Sequence, residues 1–317
     1  MSDPLATTTT HTDAGGNTAP GIARDVLSIV IVTYNSRQEI AACLDSLPPE
    51  LFGLPVEVIL VDNASSDGTL DFVRASYPRV TAFSTGGNPG FGAANNIGVH
   101  RSTGEYLLFL NPDTQMNRTS LEHCLRRLQT EPEIGIISPK LVLANGEMDL
   151  ACRRSVPTAW DGLTRSTGLS RLFPRVKWCA GYNLTYLPEN DTYPVGAVNG
   201  AFMMMRRRLF TRIGGFDEQF FMYGEDLDIC LRCSQAGFKV IYDGRHSVIH
   251  LKGCSSRKLH KAMSKALFAG TKQFYLKHFN PKNSLLVRWK YEVLFWIWRT
   301  AAAITAAIKG HKEARPS

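Results

Sequence analysis

The sequence predicts an α/β protein: a mostly parallel sheet flanked by helices, followed by a C-terminal helical extension. Three observations predict it. Short runs of β-branched and apolar residues alternate with segments of helical spacing, the pattern of parallel strands covered on both faces. A polar cluster follows several of these runs, and open parallel sheets bind ligands beyond the carboxyl ends of their strands. Past residue 258 the chain is basic with helical spacing, then rich in Trp, Leu and Ile.

Residues 1–25, rich in Thr, Gly, Ala and Pro without periodicity, are expected to form a disordered tail. Leu27–Thr33 (LSIVIVT) is the first strand. Ser36–Leu47 follows as a helix, with Ile40, Cys43, Leu44 and Leu47 on one face, and stops before Pro48-Pro49. Val56–Val61 is a strand, and Ser66-Asp67 caps a helix over Gly68–Ser76. Val80–Phe83 and Glu105–Leu110 read as strands, and Phe91–Arg101 and about Ser120–Thr130 as helices. Residues 145–195 carry Arg, Trp, Tyr, Pro and Asn without clear period, as functional loops and inserted subregions do. Ala197–Met205 resumes strand character, Glu225–Ala236 is helical, and Phe238–Tyr242 and Ser247–His250 are short strands. Helices over 258–279 and Leu285–Ile308 complete the chain, and no internal repeat is present.

A chain of 317 residues, 44% hydrophobic and 20% charged, is long enough and apolar enough to bury a sizeable core. Its net charge of +8 favours anionic partners, but no basic recognition element accompanies the charge, so nucleic acid is not expected. No run of about 18 uncharged apolar residues supports a membrane span, and residues 1–20 lack the apolar segment of a secretory signal. The seven scattered cysteines read as reduced thiols of a cytosolic protein. Cys230 and Cys233 form a lone CxxC inside a helix, without the second pair that a zinc site needs.

Four polar clusters carry the chemistry. They are Thr33-Tyr34-Asn35-Ser36, then Asp62-Asn63 to Thr69, then Gly86 to Gly92 with Asn95-Asn96, and Asn111-Pro112-Asp113. Each alone is also an ordinary strand-to-helix turn. Together with the stretch FFMYGEDLDICLR, the segments LSIVIVTYNS, VDNASSDGT, NPGFGAANNIG and LLFLNPDT resemble, in order, the family 2 glycosyltransferases of the GT-A fold. In particular they resemble the bacterial rhamnosyltransferase-like enzymes that build surface polysaccharides. The resemblance spans about residues 27–255. It implies a catalytic domain over 26–257, with a donor half to about 115 and an acceptor half after it, and C-terminal helices over 258–317.

The resemblance also implies roles. Thr33, Tyr34, Asn35, Asp62, Asn63, Gly87, Asn88, Gly92, Asn95 and Asn111 would line a nucleotide-sugar donor. Asp62 would accept from the imide N–H of a pyrimidine, and the glycines would let backbone approach the ligand. Asn95 stands where many relatives carry arginine. Asp113 would hold a divalent cation, Mg2+ or Mn2+, with His250, while Asn111 replaces the first carboxylate of the usual Asp-x-Asp. Asp226 would be the general base that deprotonates an acceptor hydroxyl, with Glu225 as the alternative base or an orienting neighbour. Asp228 would point elsewhere, and three carboxylates at a helix start also suit the helix dipole. Lys252, Ser255, Ser256 and Arg257 would bind phosphate or form a solvated basic loop.

The implied reaction is inverting transfer onto a hydroxyl of a cell-surface polysaccharide or lipid-linked oligosaccharide, with dTDP-L-rhamnose the preferred donor. A UDP-sugar such as UDP-galactofuranose or another UDP-hexose, or a non-catalytic sugar-nucleotide-binding assembly protein, are the alternatives. The expected location is the cytoplasm, with peripheral contact at the inner face of the membrane through the Trp-rich C-terminal helix. That helix packed on protein is the competing expectation, and oligomeric state is left open.

Overall fold

The computed structural model describes residues 22–251 and 260–280 and the isolated positions 284, 285, 289, 292, 293 and 300. In chain order the elements are β1 (Ala23–Thr33), α1 (Ile40–Asp45), β2 (Glu50–Leu51), β3 (Leu54–Asp62), α2 (Thr69–Ser76), β4 (Val80–Ser84), α3 (Phe91–His100), β5 (Gly104–Leu110), β6 (Thr114–Gln115) and α4 (Arg118–Thr130). Then come β7 (Ile134–Val142), a 3-10 turn at Leu150–Cys152, α5 (Ala159–Ser166), α6 (Leu169–Leu172), β8 (Thr192–Pro194), β9 (Phe202–Arg206), α7 (Arg207–Arg212), α8 (Glu225–Gln235), β10 (Lys239–His250) and α9 (His260–Phe279).

The strands form one sheet with the spine β3-β1-β5-β9-β7-β10; β4 pairs with β3, and β6 and β8 with β10. The half containing β1, β3, β4 and β5 is parallel, with Ile29 opposite Val58 and Leu108. Beyond it β9 runs antiparallel to both β5 and β7. Residue alternation divides the core into two layers. Leu27, Ile29 and Ile31 face the layer that α1 and α4 cover through Ile40, Leu121 and Leu125. Val30 and Val32 face the layer built with Ala94 of α3, Leu227 of α8 and Phe274 of α9. Among the described residues, no helix is long and apolar enough to cross a membrane.

Several boundaries differ from expectation for physical reasons. β1 starts at Ala23, inside the expected tail. α1 starts at Ile40 because the N–H groups of Ser36 and Arg37 go to Thr69 Oγ1 and Asp67 Oδ2 of the neighbouring loop instead of into a helix. β9 starts at Phe202, since Asn199 Oδ1 accepts from the Ala201 N–H and makes 199–201 a turn.

β7 was not expected, because IGIISPKLV contains Gly, Ser and Pro. A Cβ on Gly135 would lie 2.3 Å from Cys233 Sγ, so close packing accounts for this glycine. Pro139 sits opposite Asp243, where the β7–β10 ladder shifts register. The two expected strands at 238–250 are one strand interrupted by that shift. The described cysteines, including Cys230 and Cys233, are buried free thiols.

Candidate active site

The strand-end loops are tied together by side chains. Asn35, in the left-handed region at φ 55, accepts from the Ser66 N–H at 2.8 Å and donates its own N–H to Ser65 Oγ at 2.8 Å. Asp62 is buried at the tip of β3. Its Oδ1 accepts from the hydroxyls of Thr33 (2.9 Å) and Ser65 (2.5 Å), and its Oδ2 from the Ser65 N–H (2.9 Å). One lone pair of Oδ2 stays available, so Asp62 first shapes its loop and has limited capacity left for a base. Asn63 donates to Asn88 Oδ1 and the Gly90 carbonyl, both at 3.3 Å. Tyr34 is exposed beside this lattice.

The glycine-rich turn divides into open and packed positions. A Cβ on Gly87 would meet nothing within 4 Å, leaving room for a ligand. On Gly90, at φ +100, it would lie 2.4 Å from the Phe221 carbonyl. Gly92 and Asn95 are buried positions of α3. Phe216 and Glu225 fill the space beside Gly92, at 3.1 and 3.8 Å from an added Cβ. Asn95 is buried on α3 and donates to the Phe91 carbonyl one turn back at 3.0 Å.

β6 brings the Asp113 segment against the end of β10. Thr114 pairs with His250, and the Leu251 N–H donates to the Asp113 carbonyl at 2.9 Å. His250 is buried with Nε2 3.4 Å from Asp113 Oδ1 and Nδ1 3.2 Å from Asp149 Oδ2. Burial alone would lower the affinity of this ring for a proton, but the two carboxylates outweigh it and raise its pKa to about 9. Asp149 was not singled out in the sequence, since it lies in the aperiodic middle segment. Glu39, also missed, occupies the N-cap position of α1 with no capping hydrogen bond from its side chain; burial first, then the negative charges of Asp113 and Asp67, raise its pKa.

These residues fit a divalent cation. Asp113 Oδ1 is buried and accepts no hydrogen bond; its neighbour at 3.4 Å is the His250 ring, whose proton a bound cation would displace. Asp149 braces one imidazole nitrogen while the other faces Asp113, the arrangement that orients histidine ligands. Among the described residues, His123, Asp243 and His246 are another group of converging donors. They lie on α4 and in the middle of β10, where Asp243 already takes the Thr192 hydroxyl at 2.9 Å and has Arg127 at 3.8 Å. We read that group as a clamp of α4 on the sheet, with Arg127 the charged partner of Asp243.

The other carboxylates open α8, whose N-cap Gly224 is left-handed at φ 97. Asp226 Oδ2 receives the Arg154 guanidinium at 2.6 Å, and Oδ1 accepts from the Leu227 N–H at 2.8 Å. Glu225 is buried with Oε2 unpartnered; desolvation, then the neighbouring Asp226, pushes its pKa well above the carboxylate range. Asp228 points away, to Arg232, Lys277 and His278.

The 199–201 turn joins the two centres. Asp226 Cβ lies 4.0 Å from where a Gly200 Cβ would be, and the Ala201 carbonyl accepts from the Asn111 N–H at 3.1 Å. Arg154 was missed because a single arginine in an irregular stretch carries no spacing signal. The expected phosphate residues Lys252, Ser255, Ser256 and Arg257, and nearly all of the Leu285–Ile308 helix, lie outside the described residues.

Comparison with known proteins gives the family and the fold. The family described as "Glycosyl transferase family 2" matches residues 28–214, and "N-terminal domain of galactosyltransferase" matches 189–252. An N-acetylglucosaminyl-diphospho-decaprenol L-rhamnosyltransferase of Mycobacterium tuberculosis is 31% identical over 243 residues, 73% of this chain and 78% of that protein. Rhamnosyltransferase WbbL of Escherichia coli is 29% identical, over 70% of this chain and 82% of its own length. The mannosyltransferase PcManGT of Pyrobaculum calidifontis, solved with GDP-Man and Mn2+, superposes with a TM-score of 0.57 at 20% identity, covering 93% of this chain and 77% of that one. At that identity the likeness shows the fold alone, the GT-A architecture. The chain belongs to glycosyl transferase family 2.

Proposed function

We propose that the protein transfers L-rhamnose from dTDP-L-rhamnose to a hydroxyl of a lipid-linked glycan intermediate, with inversion at the anomeric carbon. The observation that carries this reading is the pair of centres on either side of the 199–201 turn: Asp226 with Arg154, and Asp113 with His250. Likeness to two proteins named rhamnosyltransferases, one of them for a diphospho-decaprenol acceptor, supports the choice of donor and acceptor class.

The donor nucleotide lies over Thr33 to Asn35, Asp62, Asn63, Gly87 and Asn88. Asp62 offers its remaining lone pair to the imide of the base, and the open face of Gly87 admits backbone contact. Asn111 stands at the end of β5 beside the sugar diphosphate. Asp113 and His250 Nε2 would hold the divalent cation, which when bound offsets the charge of the departing nucleotide diphosphate. Asp226 takes the proton of the acceptor hydroxyl as its oxygen attacks the anomeric carbon. Arg154 fixes the orientation of that carboxylate. Glu225, unpartnered and held neutral by burial, is the poorer base and a packing neighbour.

A donor panel tests the reading. Purified protein is offered dTDP-L-rhamnose, UDP-galactofuranose and UDP-hexoses with a polyprenyl-diphosphate-linked acceptor. Nucleotide release with dTDP-L-rhamnose is expected; release with UDP-sugars alone would replace the donor. Donor binding without turnover on any acceptor would favour a non-catalytic assembly role.

A further inference from the structure

The excursion between β7 and β9 carries a surface that the catalytic reading does not use. From Gly162 to Pro188 it contains four basic residues, Arg165, Arg171, Arg175 and Lys177, and no carboxylate. Residues 171–178, RLFPRVKW, are exposed at every position. Leu172 is 72% exposed and Trp178 64%, with Phe173, Val176 and Trp160 also open to solvent.

This exposure belongs to a braced structure. Trp160 and Trp178 stack at 5.7 Å, and the Trp160 indole N–H donates to the Trp178 carbonyl at 2.7 Å. A capping box between Thr158 and Asp161 starts α5, and the Thr185 hydroxyl donates to the Pro174 carbonyl at 2.6 Å. Arg171, Arg175 and Lys177 enter no ion pair among the described residues.

We propose that this tip, with Leu172, Phe173, Val176 and Trp178 inserted and Arg171, Arg175 and Lys177 on lipid phosphates, docks the protein on an anionic bilayer surface. Interleaved indole, aliphatic and cationic side chains match both parts of such an interface: acyl boundary and headgroup charge. A second copy of the chain fits less well, because a two-fold contact sets the same patch against itself and opposes its cations.

The position suits the site. The excursion is closed at its root by Arg154 and Ala197, each donating its N–H to the other's carbonyl at 2.9 Å, and Arg154 also holds Asp226. A bilayer under the tip thus anchors the segment that grows from the wall of the candidate acceptor site. The lipid-linked acceptor gives this docking its purpose, but vesicle binding needs neither donor nor turnover, so the two readings fail separately.

The test is co-sedimentation of the full chain with vesicles of phosphatidylcholine, alone or mixed with phosphatidylglycerol. Binding is expected to the mixed vesicles and to weaken with salt. The triple variant Arg171→Gln/Arg175→Gln/Lys177→Gln should lose on the order of 100-fold in partitioning, from about 1 kcal/mol per basic residue. Phe173→Asp/Trp178→Asp should lose it as well, with unchanged circular dichroism as the folding control. Vesicle-induced blue shift of tryptophan emission should shrink in Trp160→Phe/Trp178→Phe. Wild-type binding by the triple and aspartate variants would overturn the proposal and place the contact elsewhere in the chain. So would sedimentation showing that the aspartate variant dissociates a dimer while still binding vesicles.

Discussion

At the scale of single residues, two carboxylates have opposite surroundings and opposite expected roles. Asp226 is tied to a guanidinium and two residues from Gly224, whereas Asp113 Oδ1 accepts no hydrogen bond and lies 3.4 Å from the His250 imidazole. Asp226→Asn keeps the shape and removes the base. It is expected to lower turnover about 10²–10⁴-fold while leaving donor affinity, read by calorimetry, nearly unchanged. Near-normal turnover would move the base to another group, with Glu225 next. Asp113→Asn should weaken donor binding in the presence of Mn2+ or Mg2+ and reduce the dependence of that binding on the metal; an unchanged metal dependence would make Asp113 a turn residue only. Asp113, His250 and Asp226 were singled out from the sequence because they fall in motifs that resemble the family, at the ends of a strand or the start of a helix. Asp149 and Arg154 act through contacts more than 70 residues away in sequence, with His250 and Asp226, and no local pattern encodes such a contact.

Among the elements, α8 and α9 are joined by a buried charge cluster. Asp228 accepts from Arg232 on its own helix and from Lys277 and His278 on α9. Burial alone would raise its pKa, but those donors outweigh burial and hold it at about 2, below the ordinary 3.8. A carboxyl with a depressed folded pKa stabilises fully above its unfolded pKa and loses that contribution as pH falls through the folded value. Asp228 is therefore expected to contribute about 2 kcal/mol at neutral pH, lost between roughly pH 4 and pH 2. Thermal melts across the acid range should show Asp228→Asn less stable than wild type at neutral pH and the gap closing in acid; a constant gap would show that the ionised cluster is not what joins the helices. The elements themselves were readable where apolar runs were uninterrupted, as in β1, β3 and β5. β7 escaped because Gly135 and Pro139 serve long-range needs, the fit against Cys233 and the register shift beside Asp243.

For the whole molecule, alternation of strand and helix announced the parallel strands β1, β3, β4 and β5; β3 and β4 pair in sequence order, while β5 returns across them to pair with β1. The second half was less legible. β9 lies between β5 and β7 and β10 crosses to pair with three strands, an order set by burying both sheet faces and not by neighbours in sequence. That order brings Asp113, His250, Arg154 and Asp226 around one turn, and the chain is a glycosyltransferase of family 2 built on it. The central claim is a single displacement, with Asp226 deprotonating the acceptor while the nucleotide diphosphate leaves from the opposite face. The configuration at the anomeric carbon of the product, read by NMR coupling constants against that of the donor, tests it most directly. Inversion is the predicted result; retention would require a second displacement or a different geometry and would contradict the role given to Asp226.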